Sequence, residues 1–168
     1  YIDGRKDDMI IIQGGRVIDP KSGFDGLADV ALEDGKIARI VKRGAEGKGE
    51  SIAVKEGDQV ICGEGLVIAP GLVDVHVHFR DPGFTYKEDI HTGAKAAAKG
   101  GFTTVVCMAN TNPKVDKVET LQYVLEEGKK TGIHVLSCGA VSKGFDGRTM
   151  TDMEALKAAG AAGFTDDG

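Results

Sequence analysis

The second half of the chain alternates strand-like and helix-like segments in repeats of roughly 30 residues, the size of a strand–helix–strand unit. Apolar and β-branched runs predict strands at 72–77, 103–108, 133–138 and 163–165. The segments between them predict helices at about 87–99, 117–131 and 150–159, each followed by a glycine stop. Parallel strands need crossover connections of this length, so the repeat predicts an α/β fold with a parallel sheet.

Polar residues cluster just after the predicted strands, and this placement favours a barrel over an open, doubly wound sheet. They are His76, His78 and Arg80 at or just after the end of the first strand, Asn110, Thr111 and Asn112 after the second, and Asp166 and Asp167 after the fourth. The carboxyl ends of barrel strands converge on one face, where barrel sites lie. No Gly-x-Gly-x-x-Gly follows the first strand, which argues against a dinucleotide site.

A complete (β/α)8 barrel takes about 200 residues or more. Residues 70–168 supply only three strand–helix units and a fourth strand. Half a barrel would leave two apolar strand edges unpaired, which favours aggregation. We therefore expect 70–168 to be strands 1–4 of a barrel, in a chain truncated from a longer polypeptide whose C-terminal half completes it.

Residues 9–69 contain short apolar or alternating runs separated by turn residues, a pattern typical of a small β-sandwich. Asp34-Gly35 between two such runs predicts a hairpin with a type I′ turn. Residues 1–8 are polar and charged and predict a flexible or tag-like N-terminus. No ionisable cluster in 9–69 suggests chemistry, so this domain is interpreted as structural.

Composition excludes two classes of partner. The net charge is −5, Trp is absent and no basic run occurs, which argues against nucleic-acid binding. No apolar stretch approaches the roughly 18 residues of a membrane span. The three cysteines, Cys62, Cys107 and Cys138, lack metal-site spacing and predict free buried thiols in a reducing cytoplasm.

His76 and His78 end the first predicted strand, and their spacing places both imidazoles on one side of it. Two histidines on one face can bind one divalent metal, and zinc commonly takes such ligands. Arg80 can grip a carboxylate with its planar guanidinium. Its structural alternative is a salt bridge with Asp81 or Glu88, and that of Asn110 is a loop cap.

Three segments in the expected order resemble the cyclic amidohydrolases, and most closely the bacterial-type dihydroorotases. Residues 74–89 (DVHVHFRDPGFTYKED) are similar to the family's first metal motif. Residues 100–113 contain a segment similar to its second-strand motif, and 163–168 (GFTDDG) resembles its fourth-strand motif. The resemblance implies a β-sandwich before a metal-dependent barrel and extends through most of the chain.

The resemblance also implies roles for individual residues. His76, His78 and Asp167 would be metal ligands for one or two zinc ions, with Asp166 as the alternative to Asp167. Arg80 and Asn110 would hold the substrate carboxylate. The catalytic aspartate of the family belongs to later barrel strands, so no general acid–base residue is assigned in this chain, and we expect it to be inactive alone.

The implied reaction is the reversible interconversion of N-carbamoyl-L-aspartate and L-dihydroorotate in pyrimidine biosynthesis. Hydantoinases and allantoinases carry a carboxylated lysine after strand four, whereas Asp167 resembles the dihydroorotase subgroup. Two alternatives stay open: a related cyclic-amide hydrolase, and a non-catalytic scaffold for aspartate carbamoyltransferase. The resemblance also implies a homo-oligomer.

Overall fold

A computed structural model describes residues 9–44 and 49–167. The chain divides between Pro70 and Gly71 into two compact units, here called the N-terminal and C-terminal units. The predicted tag-like segment 1–8 lies outside the described residues. Within the described ranges, no helix combines the length and apolar character needed to cross a bilayer.

The described strands of the N-terminal unit form one five-stranded sheet in the order β3-β2-β1-β4, with β5 also paired to β1. The strands are β1 (Ile10–Asp19), β2 (Phe24–Glu33), β3 (Lys36–Lys42), β4 (Gln59–Cys62) and β5 (Val67–Ile68). The sequence predicts a small β-sandwich here, which stays a prediction; the described strands join in a single sheet. The reason is that β1 is long enough to pair with β2 on one edge and with both β4 and β5 on the other.

The predicted hairpin between β2 and β3 is confirmed. Glu33 pairs with Lys36, and the two residues between them have positive φ, 50° for Asp34 and 72° for Gly35. A type I′ turn requires positive φ at both central residues, which Asp and Gly tolerate best. This turn sets the register of the hairpin.

Asp29 is the buried polar centre of the N-terminal unit and is fully enclosed. Its carboxylate accepts the backbone N–H groups of Gly14 at 2.9 Å and Ile52 at 3.1 Å, and lies 2.8 Å from Arg43 Nε. Burial by itself raises the pKa of Asp29, but the Arg43 and backbone hydrogen bonds together outweigh it and lower the pKa. One carboxylate thus ties together three separate segments.

The C-terminal unit contains a four-stranded parallel sheet in the order β6-β7-β8-β9. Its elements are β6 (Leu72–Val77), α1 (Ile90–Lys99), β7 (Phe102–Cys107), α2 (Val118–Lys129), β8 (His134–Gly139), α3 (Met153–Ala158) and β9 (Gly163–Phe164). Each strand neighbours the next one in the chain, without the reversal of strand order that defines a doubly wound sheet. The α/β class and the barrel-type sheet are therefore confirmed.

Helices pack on one face of this sheet around a core that includes Ile90, Val105, Leu121 and Leu156. Two helices begin about three residues later than predicted, because an aspartate caps each of them. Asp89 accepts the Thr92 N–H at 2.7 Å before α1, and Asp152 accepts the Ala155 N–H at 2.9 Å before α3. Capping fixes both helix starts.

The three cysteines are free, as predicted. Cys107 and Cys138 are buried, whereas Cys62 is exposed, so the prediction of burial is wrong for Cys62. Cys62 ends β4, where all four residues are exposed. Burial raises the pKa of the Cys107 thiol to about 12, which keeps it protonated.

Replacing Asp29 with Ala is expected to lower the free energy of unfolding by about 3–5 kcal/mol, the cost of breaking a buried ion pair. Urea denaturation measures the change. Asp25→Ala is the matched control, because its pair with Arg16 is exposed, at 49% and 56% of the two side chains, and should have little effect. Equal effects of the two substitutions would contradict the assignment of Asp29 to a stabilising buried ion pair.

The same variant should show a pH dependence. The pKa of Asp29 lies below its ordinary value of 3.8, so its stabilising charge is complete above that pH and is lost as the pH falls through the lower folded-state pKa. The stability gap between wild type and Asp29→Ala should therefore be constant near neutrality and shrink in acid. A stability difference that does not change with pH would show that the negative charge of Asp29 does not contribute to the stability.

Candidate metal centre

The carboxyl end of β6 presents two histidines to the same side of the sheet. Val77 between them packs against the helix-covered core, so His76 and His78 project to the opposite face. Their rings lie 5.1 Å apart, centroid to centroid, in an edge-on arrangement. The His76 backbone N–H donates to Asp74 at 3.0 Å, which holds the strand end.

Asp167 follows β9, at the far edge of the sheet, and reaches both histidines. Its Oδ2 lies 3.1 Å from His76 Nε2 and 3.5 Å from His78 Nε2. A flat sheet would separate the outer two of four strands by about 14 Å. The contact therefore depends on the curl of the sheet, which brings its first and last strands together as in a barrel.

These three side chains, called here the ligand cluster, fit a divalent metal. Their donor atoms all lie within 4.8 Å of one another. Zinc binds imidazole nitrogen and carboxylate oxygen at about 2.0–2.2 Å, so two ligand atoms of one tetrahedral ion lie about 3.4 Å apart. The distances of 3.1 and 3.5 Å match this spacing. Two neutral nitrogens and one carboxylate oxygen are also a donor set typical of zinc.

Asn110 orients one of these histidines. This buried side chain follows β7, and its Oδ1 lies 3.1 Å from His78 Nδ1. An oxygen acceptor favours the tautomer that carries hydrogen on Nδ1, which leaves Nε2 with a free lone pair toward Asp167. The Asn110 NH₂ group is then left to donate elsewhere.

Asp166, the alternative ligand, has a different role in the structure. Its carboxylate accepts the backbone N–H of Val141 at 2.8 Å and both the N–H and the hydroxyl of Ser142, at 3.1 and 2.5 Å. Burial works to raise the pKa of Asp166, but these hydrogen bonds prevail and lower it. Asp166 thus holds the loop after β8, and the geometry favours Asp167 as the ligand.

Arg80 lies two residues beyond His78 in a half-buried turn with φ of 56°. Within residues 9–44 and 49–167, its guanidinium takes part in no ion pair. The two carboxylates proposed as structural partners are engaged elsewhere: Asp81 binds Tyr123, and Glu88 accepts the Thr92 hydroxyl. Arg80 is therefore available to an anionic ligand.

Sequence reasoning missed the contact of Asp81 with Tyr123. Asp81 is buried, and its partner lies 42 residues away on α2. The only local signal is an acidic residue between Arg80 and Pro82, which does not reveal a partner on another helix. His91 lies on α1 and contacts Glu127 at 3.0 Å, as part of a surface network outside the ligand cluster.

Comparison with known proteins identifies a family for the chain. The profile of the family described as Dihydro-orotase-like matches residues 65–168. The dihydroorotase of Clostridioides difficile strain 630 is 56% identical over 160 residues, covering 95% of this chain and 36% of the relative. That of Streptococcus pneumoniae serotype 4 is 54% identical with the same coverage. The chain thus spans about 36% of the length of these curated relatives.

Solved structures show the same fold. L-Hydantoinase (dihydropyrimidinase) from Arthrobacter aurescens superposes with a TM-score of 0.68 at 23% identity, covering 92% of this chain and 32% of that one. A crystal structure of a dihydroorotase superposes with a TM-score of 0.58 at 15% identity, covering 94% and 42% of the two chains. Both structures are under 25% identical to this chain, and the likeness is one of fold.

The two adjacent aspartates should differ in their effect on metal binding. Asp167→Asn is expected to weaken Zn²⁺ binding by more than the roughly 10- to 100-fold that loss of an outer contact causes. Asp166→Asn should weaken it less and instead lower thermal stability, because it loosens the loop after β8. Zinc titration calorimetry and thermal unfolding measure the two effects. The reverse ranking would make Asp166 the ligand.

Proposed function

We propose that this chain, which belongs to the dihydro-orotase-like family, supplies the first metal ligands and the carboxylate-binding residues of a dihydroorotase. The proposed reaction interconverts L-dihydroorotate and N-carbamoyl-L-aspartate, a step of pyrimidine biosynthesis in the cytoplasm. The observation that carries this proposal is the convergence of His76, His78 and Asp167 within 4.8 Å at the carboxyl ends of the first and last strands of the sheet. Relatives named dihydroorotase support the substrate.

The proposed cofactor is Zn²⁺, as one or two ions held by the ligand cluster. When bound, it would supply a Lewis acid that polarises the ring carbonyl and makes water a nucleophile near neutral pH. Asn110 keeps His78 in the tautomer that binds metal through Nε2. Asp167 contributes the negative charge that offsets part of the metal charge.

The substrate is an anion, and two residues are suited to its carboxylate. Arg80 offers a planar pair of N–H donors and has no protein carboxylate to neutralise it among the described residues. Asn110 can donate its NH₂ group, because its oxygen already faces His78. Together they would hold the ring with its scissile amide toward the ligand cluster.

Hydrolysis adds water across the ring C–N bond: the carbonyl carbon gains the hydroxyl oxygen and the ring nitrogen gains a proton. A general acid–base group must carry that proton. No residue of this chain is proposed for the task. We propose that an aspartate on later barrel strands performs it and that this chain is inactive without them.

A non-catalytic scaffold is the second hypothesis, and the site geometry argues against it. A scaffold has no need for three metal-type donors at mutual ligand spacing, nor for an arginine that forms no ion pair within residues 9–44 and 49–167. Association with aspartate carbamoyltransferase and with further copies of the protein stay predictions. Size-exclusion chromatography with and without that enzyme tests them.

Removal of metal is expected to abolish the activity. The complete natural protein should hydrolyse dihydroorotate, lose activity after treatment with a chelator, and regain it with Zn²⁺. Hydantoin and allantoin assayed in parallel distinguish a related cyclic-amide hydrolase. Full turnover by metal-free protein would contradict the metal mechanism. Turnover of hydantoin without turnover of dihydroorotate would contradict the proposed substrate.

Replacing Arg80 with Met should raise KM for dihydroorotate by about 10- to 150-fold, because a hydrogen bond to a charged group contributes about 1.5–3 kcal/mol. Steady-state kinetics on the complete protein measure it. Arg148→Met is the matched control, since Arg148 is an exposed arginine of the loop before α3. An unchanged KM for Arg80→Met would refute the carboxylate-binding role.

A further inference from the structure

Arg80 and Asn110 lie on different loops, and those loops are interlocked. The Arg80 turn comprises residues 80–84 after β6, and the Asn110 loop comprises residues 108–117 after β7. The Asn112 N–H donates to the Pro82 carbonyl at 3.0 Å. A Cβ on Gly83, whose φ is +94°, would lie only 2.0 Å from the Asn112 carbonyl oxygen. The turn therefore sits directly against the loop.

The backbone of the Arg80 turn is held in an unfavourable conformation. Arg80 has φ of 56°, in the left-handed region that non-glycine residues rarely adopt. Its carbonyl accepts the Phe84 N–H at 2.9 Å, which closes the turn. A non-glycine residue keeps such a conformation only where surrounding contacts determine it. The direction in which the Arg80 side chain leaves the backbone depends on those contacts.

Asp81 supplies the anchoring contacts. It is 6% exposed, and its Oδ1 accepts the Tyr123 hydroxyl at 3.0 Å. Its Oδ2 lies 3.4 Å from the Ile90 N–H at the start of α1. Tyr123 belongs to α2, the helix that directly follows the Asn110 loop. The hydroxyl thus connects the element carrying Asn110 to the turn carrying Arg80, at a second point besides the Pro82–Asn112 bond.

We infer that Tyr123 is a positioning residue: its hydrogen bond to Asp81 fixes Arg80 relative to Asn110, so that both donors meet one carboxylate. The inference rests on the proposed function, because it concerns the substrate carboxylate. Partial burial, and after it the bond to Asp81, raises the pKa of Tyr123 to about 12. The hydroxyl therefore stays protonated and keeps donating throughout the pH range of an assay.

Tyr123→Phe in the complete, metal-loaded protein tests this. The variant removes one hydroxyl and keeps the ring. KM for dihydroorotate should rise about 2- to 12-fold, the effect of one lost hydrogen bond, with kcat within about twofold. Tyr86→Phe is the matched control, because this 78% exposed tyrosine takes part in no side-chain hydrogen bond within the described ranges, and it should leave KM unchanged.

A double mutant separates positioning from general stability. In an Arg80→Met background, Tyr123→Phe should raise KM no further, because no guanidinium remains to be positioned. An unchanged KM in Tyr123→Phe, or the same increase with and without Arg80, would overturn the inference.

Two further outcomes are distinguishable. If Tyr123→Phe loses its metal or unfolds at a much lower temperature, the residue is structural and the inference is overturned. If the wild-type protein does not turn over dihydroorotate at all, the proposed function fails first. Thermal unfolding and metal content, measured on every variant, separate these cases from a loss of positioning.

Discussion

The curl of the parallel sheet is the constraint on which the ligand cluster depends. His76 and Asp167 belong to the ends of the first and last strands, yet their side chains lie 3.1 Å apart. In a flat sheet those strands would be about 14 Å apart, beyond the reach of the two side chains. Asn110, which follows the neighbouring strand β7, faces His78 at 3.1 Å. The ligand cluster therefore forms only when the sheet of the C-terminal unit is folded and curled.

The helices pack closely against the strands and loops of the parallel sheet and support it. Gly93 of α1 lies so near Phe79 that a Cβ there would come within 2.5 Å of the ring, and a Cβ on Gly128 of α2 would lie 2.7 Å from Val135. Because glycine has no side chain, α1 can lie close to Phe79 and α2 can lie close to Val135. Phe79 directly follows His78, so the packing of α1 also helps to fix the strand end that carries the ligands.

Local patterns predicted most of the C-terminal unit. Apolar runs predict β6 at 72–77, which are the bounds that the structure has. The two-residue period of a strand places His76 and His78 on one face. The start of α1 is harder to predict because Asp89 acts as a cap, and a cap is difficult to distinguish from a first helical turn. The hydrogen bond from Tyr123 to Asp81 joins residues 42 positions apart, and the one from Ser142 to Asp166 joins residues 24 positions apart. No period or spacing encodes such contacts, since they arise only when the chain is folded.

Sequential strand order also sets when the metal ligands become available during synthesis. Each strand pairs with its successor, so the sheet can grow from β6 toward β9 as the chain leaves the ribosome, with only local crossovers to close. The two histidines emerge early, whereas Asp167 arrives 91 residues after His76. A nascent chain therefore contains the two histidines of the ligand cluster before it contains Asp167, and the cluster is complete only after the three strand–helix units. Completion of the ligand cluster is thereby coupled to the formation of the whole four-stranded sheet.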